Sequence, residues 1–279
     1  MIEVRNVSYS YQDSAALKDI NLVIPEGLTV ALIGHTGSGK STLAEHLNGL
    51  LRPDSGEIII DGRNIRDLKV KDICKKVGLV FQYPEKQLFE ETVYEDIAFG
   101  PKNLGLREEE IKECVLSAAE MTGLNEDSLN KSPFELSGGQ MRRAAIAGVL
   151  AMKPKILILD EVMAGLDPKG KRSVMEMIKR LRSENKDMTV IFISHSMEDA
   201  ALLADKIIVM NEGRIEMYAD VSEVFSNEER LVKIGLGIPQ ITAVMRKLRE
   251  KGYDVSGDIY SVQSAAAEIK AFLAGDNNA

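Results

Sequence analysis

The sequence lacks the features that mark several large classes of protein. Trp is absent and aromatic residues make up 5% of the chain, which disfavours an aromatic platform for single-stranded nucleic acid. Apolar runs such as Ile156–Leu159 are short compared with the roughly 18 to 20 residues of a membrane span. The first residues, Met1–Arg5, show no signal-peptide pattern. The only cysteines, Cys74 and Cys114, are interpreted as reduced core thiols of a cytoplasmic protein rather than a disulfide or metal site.

An excess of basic charge is also missing. The 279 residues include 35 Lys and Arg against 43 Asp and Glu, a formal net charge of −8. An acidic chain is a poor candidate for a general nucleic-acid binder. With 44% apolar and 28% charged residues, the composition is that of a globular protein, and the length suffices for one large domain or one domain plus a small appendage.

The hydrophobic pattern predicts an α/β fold. Short β-branched runs precede a glycine-rich loop, and residues 82 to about 152 carry apolar side chains at helical spacing. Predicted strands then alternate with helices at Lys155–Leu159, Met188–Ser194 and Lys206–Met210, which indicates a mostly parallel sheet. We expect an N-terminal antiparallel β part, a helical insert, a main domain over 1–235 and a small helical C-terminal appendage over 236–279.

A phosphate-binding loop is the clearest motif. The pattern G-x-x-x-x-G-K-[ST] lies between an apolar strand and a helix, and with the next residue it comprises Gly34, His35, Thr36, Gly37, Ser38, Gly39, Lys40, Ser41 and Thr42. Backbone amides at such a helix start form a nest for phosphate, Lys40 can reach the outer phosphates, and Ser41 can ligate Mg²⁺. A glycine-rich turn without function is the alternative, which the complete motif disfavours.

Two carboxylates follow an apolar strand. Asp160 and Glu161 end the run that begins at Lys155, and parallel sheets place ligand groups at such strand ends. We interpret Asp160 as a Mg²⁺ ligand through water and Glu161 as the group that polarises an attacking water. Two acids after a strand usually form a solvated strand end, so this interpretation depends on the phosphate loop.

A second anion cradle opens a later helix. Ser137, Gly138, Gly139 and Gln140 combine a hydroxyl, two glycines and a helix N-terminus. The alternative is an N-cap followed by a flexible turn. One chain thus carries two phosphate cradles about a hundred residues apart, with a helical insert between them.

Together these motifs resemble the nucleotide-binding ATPases of ABC transporters over about residues 1–220, with the second cradle as the signature. The resemblance implies a P-loop NTPase fold of ABC ATPase type that binds Mg-ATP at the interface of a head-to-tail dimer. It implies that Tyr11 stacks on adenine, that Gln82 touches Mg²⁺ and the attacking water, and that His195 contacts the γ-phosphate. It further implies that Gly165–Asp167 crosses the dimer interface.

The chain departs from that family after the catalytic glutamate. The family usually has Pro-Thr or Pro-Ser there, whereas this chain has Val162 and Met163. Glu161 is intact, so we expect catalysis, with the stiffness of the loop and the rate of turnover as open questions.

Three further segments, Phe81–Phe89, Ala98–Asn103 and Met141–Arg143, resemble the ATPases of energy-coupling factor transporters, most closely the second of their two paralogues. The resemblance implies a second ATPase subunit, paralogue or self, and a transmembrane coupling subunit that docks substrate-capture proteins for vitamins or for cobalt or nickel ions. It implies a peripheral position on the cytoplasmic face of the cell membrane, and the acidic net charge predicts no nucleic-acid partner. The acidic stretch 83–96 is the predicted docking groove, with a solvated acidic face as the alternative.

Three other functions remain open. They are the ATPase of another ABC importer, a soluble ABC ATPase acting on nucleic acid or ribosomes, and a nucleotide-gated switch with little turnover. The acidic charge and the lack of a long coiled-coil insert count against the second of these, and Val162 with Met163 motivates the third. In the tail, the apolar face of Pro239–Lys251 is predicted either to support dimerisation or to pack on the chain's own core.

Overall fold

The computed structural model describes residues 1–12 and 14–276. Its strands are β1 (Ile2–Tyr11), β2 (Ser14–Ile24), β3 (Thr29–Gly34), β4 (Ser55–Ile60), β5 (Arg63–Asn64), β6 (Val77–Val80), β7 (Ile156–Asp160), β8 (Thr189–Ile193), β9 (Lys206–Asn211) and β10 (Arg214–Asp220). Its helices are α1 (Lys40–Asn48), α2 (Val70–Cys74), α3 (Val93–Leu104), α4 (Glu108–Thr122), α5 (Glu126–Leu129), α6 (Gly138–Leu150), α7 (Pro168–Glu184), α8 (Met197–Leu203), α9 (Val221–Ser226), α10 (Glu228–Lys233), α11 (Gln240–Glu250) and α12 (Val262–Asp276).

Two sheets organise the fold. The larger has the order β10-β9-β3-β8-β7-β6, with parallel pairs throughout except the antiparallel pair β9–β10. Every residue of β3, β7 and β8 is buried, because both faces of a parallel sheet are covered. The smaller sheet, β2-β1-β4-β5, is antiparallel. The predicted α/β class with an antiparallel N-terminal part is therefore confirmed.

The larger sheet separates two apolar cores. One core lies between this sheet and the helices from α3 to α8, and the other lies between it, α1 and the smaller sheet. A third cluster, centred on Met245, Val255, Ile259 and Ala265, joins α11 to α12. The carboxyl ends of β3 and β7 thus lie at the same edge of the larger sheet. The phosphate loop follows β3 at this edge, and the carboxylates of Asp160 and Glu161 lie at the end of β7.

Several predicted boundaries were wrong. The apolar pattern predicts a strand over Ile20–Ile24 and a helix over Gln140–Met152, whereas β2 begins at Ser14 and α6 begins at Gly138. The short elements β5, α2 and α5 were missed because their few residues show no periodicity. Both cysteines are free, but Cys74 is partly exposed, so the core interpretation holds only for Cys114. Among the described helices, none combines the length and hydropathy that a bilayer crossing requires.

Candidate functional site

The phosphate loop runs from the end of β3 to the start of α1. Gly39 adopts a φ of 100°, and a Cβ there would lie 2.6 Å from the Ala16 carbonyl oxygen, so the position requires glycine. A Cβ on Gly37 would meet nothing within 4 Å, which leaves room for a ligand on that side. Thr36 is exposed and Ser38 is buried. The loop is therefore tight against the protein and open outward.

Lys40 lies inside this loop. Its Nζ donates to the carbonyl oxygens of Gly34 and His35, at 2.8 and 2.6 Å. Burial lowers the pKa of Lys40, while the charges of Asp160 and Glu161 act in the opposite direction. The ammonium is thus held beside the loop amides and close to both carboxylates, where it can bind a phosphate oxygen.

Asp160 ends β7 and is 7% exposed. Burial raises the pKa of its carboxyl group, and a hydrogen bond with the Ser41 hydroxyl lowers it in part. The carboxylate oxygen Oδ1 is buried without a hydrogen-bond partner. A buried unpaired carboxylate oxygen beside a hydroxyl suits a hard cation that prefers oxygen ligands, so these residues fit Mg²⁺.

The structure brings the three predicted catalytic side chains together. Gln82 Nε2 donates to Glu161 Oε2 at 2.7 Å, and His195 Nε2 lies 2.6 Å from Glu161 Oε1. Glu161 has a φ of 49°, a left-handed conformation that is unusual for a non-glycine residue. Such a local outlier is typical of functional sites. The carboxylate is therefore held from both sides at the end of β7.

The second cradle begins α6. The Ser137 hydroxyl caps the helix by accepting from the Gln140 amide, and the Gln140 side chain accepts from the Ser137 amide at 3.0 Å. A Cβ on Gly138 would meet nothing within 4 Å. The cradle lines a cleft of about 710 Å³ that also contains Gly165–Asp167. Asp167 caps α7 by accepting from Gly170 N at 2.7 Å. Both predicted interface segments thus face one open cleft.

The remaining predicted residues lie around α1. The exposed Tyr11 donates to Glu45 Oε2 at 3.4 Å and contacts Tyr9 edge to face. Thr42 supplies the carbonyl that the buried His46 ring contacts at 2.7 Å. The His35 ring is hydrogen-bonded to the Ile234 carbonyl oxygen, so the phosphate loop touches the segment before α11. The adenine role of Tyr11 stays a prediction.

One buried side chain was missed as part of the site. Arg142 of α6 is 5% exposed and forms a bidentate pair with Glu85, at 2.7 and 3.0 Å. Its spacing was the available signal: Arg142, Ile146 and Leu150 share the buried face of α6, since residues four apart align on a helix. The guanidinium lowers the pKa of Glu85.

The acidic stretch 83–96 presents fewer free carboxylates than its sequence suggests, and its docking role stays a prediction. Of its carboxylates, Glu85 pairs with Arg142 and Glu95 pairs with Lys102, so neither is a free acidic group. Asp96 is buried, and its Oδ1 accepts from the amides of Phe89 and Glu90. The stretch is therefore not a uniform solvated face, because Glu85, Glu95 and Asp96 are already engaged within the chain.

An apolar groove nevertheless lies beside this stretch. It has a volume of about 580 Å³ and is lined mainly by α3, α6 and the segment 87–89. Phe89 and Phe99 are exposed on its rim and contact each other edge to face. Asp96 lines it, with the buried oxygen Oδ2 unpaired, and burial raises the pKa of this carboxyl group. The groove combines apolar surface with one unsatisfied acidic group.

Comparison with known proteins identifies the family of this chain. The ABC transporter family model matches residues 17–164. The chain is 56% identical to the energy-coupling factor transporter ATP-binding protein EcfA2 of Caldanaerobacter subterraneus, with 99% of each chain covered. It is 53% identical to the protein of that name from Clostridium perfringens, again with 99% of each covered.

Solved structures agree with the sequence relatives. CbiO1 of Clostridium perfringens, part of the ABC transporter complex CbiONQ, matches with a TM-score of 0.75 at 40% identity over 88% of this chain and 98% of its own. A dimeric ATP-binding cassette in a post-hydrolysis state with ADP and Pi matches with a TM-score of 0.71 at 32% identity, over 79% and 99%. The chain therefore belongs to the ABC transporter family, in the group of energy-coupling factor transporter ATP-binding proteins.

Proposed function

We propose that this protein is the ATPase subunit of an energy-coupling factor type importer, and that it hydrolyses Mg-ATP between two head-to-tail ATPase subunits. One observation carries the proposal: Glu161 is held between Gln82 and His195 at the strand end next to Lys40. In-line attack of water on a γ-phosphate needs a positioned acceptor beside a fixed cation, and this arrangement supplies both.

The loop residues bind and orient the nucleotide. The amides of residues 34–42 surround the β- and γ-phosphates, Lys40 neutralises their charge, and Tyr11 stacks on the adenine. Mg²⁺, which would neutralise charge developing on the phosphates, would be held by Ser41, Gln82 and Asp160. The unpaired Asp160 Oδ1 supports this assignment.

Three side chains act on the attacking water. Glu161 accepts its hydrogen bond and aligns it, Gln82 holds its other side, and His195 contacts the γ-phosphate. Because Gln82 and His195 both touch Glu161, binding of ATP would exchange these contacts for contacts to the nucleotide. Ser137, Gly138, Gly139 and Gln140 of the second subunit would close over the phosphates.

The apolar groove is the proposed docking site for the transmembrane subunit. We expect a helix that presents Arg to Asp96, because a guanidinium N–H can satisfy the unpaired carboxylate oxygen Oδ2 and its charge offsets that of the carboxylate. Asp96→Asn keeps the two amide contacts but loses the charge, so co-purification of the membrane subunit should decrease while basal ATPase activity persists. Glu113→Gln on the exposed side of α4 is the control. Equal recovery with both variants would refute this docking site.

The appendage over 236–279 is proposed to stabilise the ATPase dimer. Of its predicted apolar face, Ile241, Met245 and Leu248 pack within the third cluster, and Val244 is 48% exposed. A dimer contact would therefore use Val244 rather than the whole face. Val244→Ser should weaken self-association or pairing in light scattering without ATP, and an unchanged dimer would remove the role.

The transported substrate is proposed to be a vitamin or a cobalt or nickel ion bound by a separate capture subunit, with this protein peripheral on the cytoplasmic face of the membrane. The test is purification of the tagged chain from membranes, with assay of Mg²⁺-dependent ATPase activity and identification of the bound proteins. Recovery of ribosomes or DNA without a membrane protein, or absence of turnover in the assembled complex, would contradict the proposal.

A further inference from the structure

Arg142 joins three segments around the catalytic glutamate. Its Nε and Nη2 bind the Glu85 carboxylate, while its Nη1 donates to the carbonyl oxygens of Val162 and Ala164, at 3.1 and 2.8 Å. One buried guanidinium of α6 thus connects the turn Pro84–Gln87 with the loop that follows Glu161.

This arrangement uses properties that only arginine has. The planar guanidinium offers five donors in a fixed fork, so it can bind a carboxylate on one side and two carbonyls on the other. A buried charge persists only where it is paired and hydrogen-bonded, and Glu85 and the two carbonyls meet that requirement. The Arg142 side chain is therefore fixed, and so are the backbone atoms it binds.

The loop it binds is the one in which the chain departs from its family. Val162 and Met163 stand where proline and a hydroxyl residue are usual, so φ is not fixed by a proline ring. Within the loop, Ala164 donates to the Glu161 carbonyl at 2.9 Å, and Glu161 itself has a left-handed φ. Without a further restraint, the loop 161–164 would allow the Glu161 carboxylate to adopt several positions.

We propose that Arg142 is a positioning residue that fixes the loop 161–164, and through it the orientation of Glu161, in place of the stiffness that proline would supply. The inference rests on the proposed ATPase function. Arg142 also links the apolar groove, the proposed docking site of the transmembrane subunit, to Glu161. Its partner Glu85 belongs to the same turn as Gln87, which lines that groove.

The central test is Arg142→Gln in the assembled transporter. We expect kcat to fall about 10- to 100-fold, as for a misplacement of about 1 Å, while KM for ATP stays unchanged because the phosphate loop is intact. Amide hydrogen exchange over 161–167 should accelerate. The matched control is Arg180→Gln on α7, which also removes an arginine paired with two carboxylates, Glu120 and Glu184, and should leave kcat and that exchange unchanged.

A second substitution separates positioning from simple loss of stability. Val162→Pro in the Arg142→Gln background should recover a large part of kcat and slow the exchange again, because proline restores a fixed φ and leaves the Ala164 bond in place. Arg142→Lys keeps the charge but cannot fork between carboxylate and carbonyls, so it should show the same loss of kcat if the Gln variant does not fold.

The outcomes are distinguishable. If the wild-type transporter has no ATPase activity, the proposed function fails. If it is active and the Arg142 variants keep wild-type kcat, or lose it without faster exchange over 161–167, or are not recovered by proline, the positioning role is overturned and the proposed function stands.

Discussion

The two phosphate cradles of this chain differ in how completely the chain itself builds them. At Gly39 a Cβ would strike the backbone of β2, and the lysine of the loop is buried with its ammonium bonded to loop carbonyls. At Gly138 a Cβ would meet nothing within 4 Å, and Ser137 is exposed and held by its own helix cap. The first cradle is packed on one side, whereas the second is open.

Glycine is therefore present for different reasons at Gly39 and at Gly138. In the phosphate loop, glycine is needed by the protein, since the backbone of another strand lies where a side chain would be. In the second cradle, glycine is not needed by the described fold, so the open space has to serve something outside it. That is the expectation for a surface that closes over the nucleotide of a second subunit.

The largest effect is expected from Glu161→Gln, which removes the carboxylate that polarises the attacking water and leaves both phosphate cradles intact. Turnover should fall about 10² to 10⁴-fold, or about 3 to 5 kcal/mol of barrier, because the amide cannot accept a proton from water. ATP binding should persist and hold the dimer closed, which a binding assay and light scattering would measure. Near-normal hydrolysis would contradict the role of Glu161 in polarising and aligning the attacking water.

The second test separates the cradles by affinity and turnover. Gly138→Leu should reduce turnover at least about 10²-fold, as for loss of groups that stabilise the transition state, while ATP affinity of the isolated subunit stays unchanged. Lys40→Ala should weaken ATP binding itself. Comparable loss of ATP affinity in both variants, measured by calorimetry on the isolated subunit, would mean that both cradles bind the same nucleotide within one subunit.

The sequence predicted the packed cradle better than its surroundings. The motif around Lys40 and the two acids after β7 are each contiguous in the sequence. Their positions could therefore be predicted from a single strand and the turn that follows it. The pairing of Arg142 with Glu85 joins residues of separate segments, and only the buried spacing on α6 hinted at it. The acidic groove was overestimated because a charge pattern does not reveal that Asp96 turns inward to cap two amides.

A third test concerns folding rather than function. Gly39→Ala should destabilise the protein by about 1 to 3 kcal/mol, because the new Cβ meets a carbonyl oxygen at a positive φ. Gly138→Ala should be neutral or slightly stabilising, by up to about 1 kcal/mol, since alanine is a better helix former in open space. Chemical denaturation of both variants measures the contrast. A similar cost at both positions would contradict the open second cradle.

The smallest effect is expected from the charge inside the packed cradle, and it depends on pH. Burial lowers the pKa of Lys40 in the folded chain, while Asp160 and Glu161 offset part of that shift. Between the folded pKa and the unfolded value of about 10.4, the unfolded chain binds more protons, so stability rises with pH. Lys40→Met removes this term.

The free energy of unfolding of the wild type should therefore increase relative to that of Lys40→Met as pH rises through this window. Below the folded pKa both states carry the proton, and the difference between the two proteins should be constant. Denaturation curves at a series of pH values measure the two slopes. No exposed group of the second cradle titrates in this way, since Ser137–Gly139 carry no ionisable side chain. If the two slopes of unfolding free energy against pH coincide, the Lys40 ammonium is solvated in the folded protein. The two cradles would then differ in packing but not in the burial of a charge.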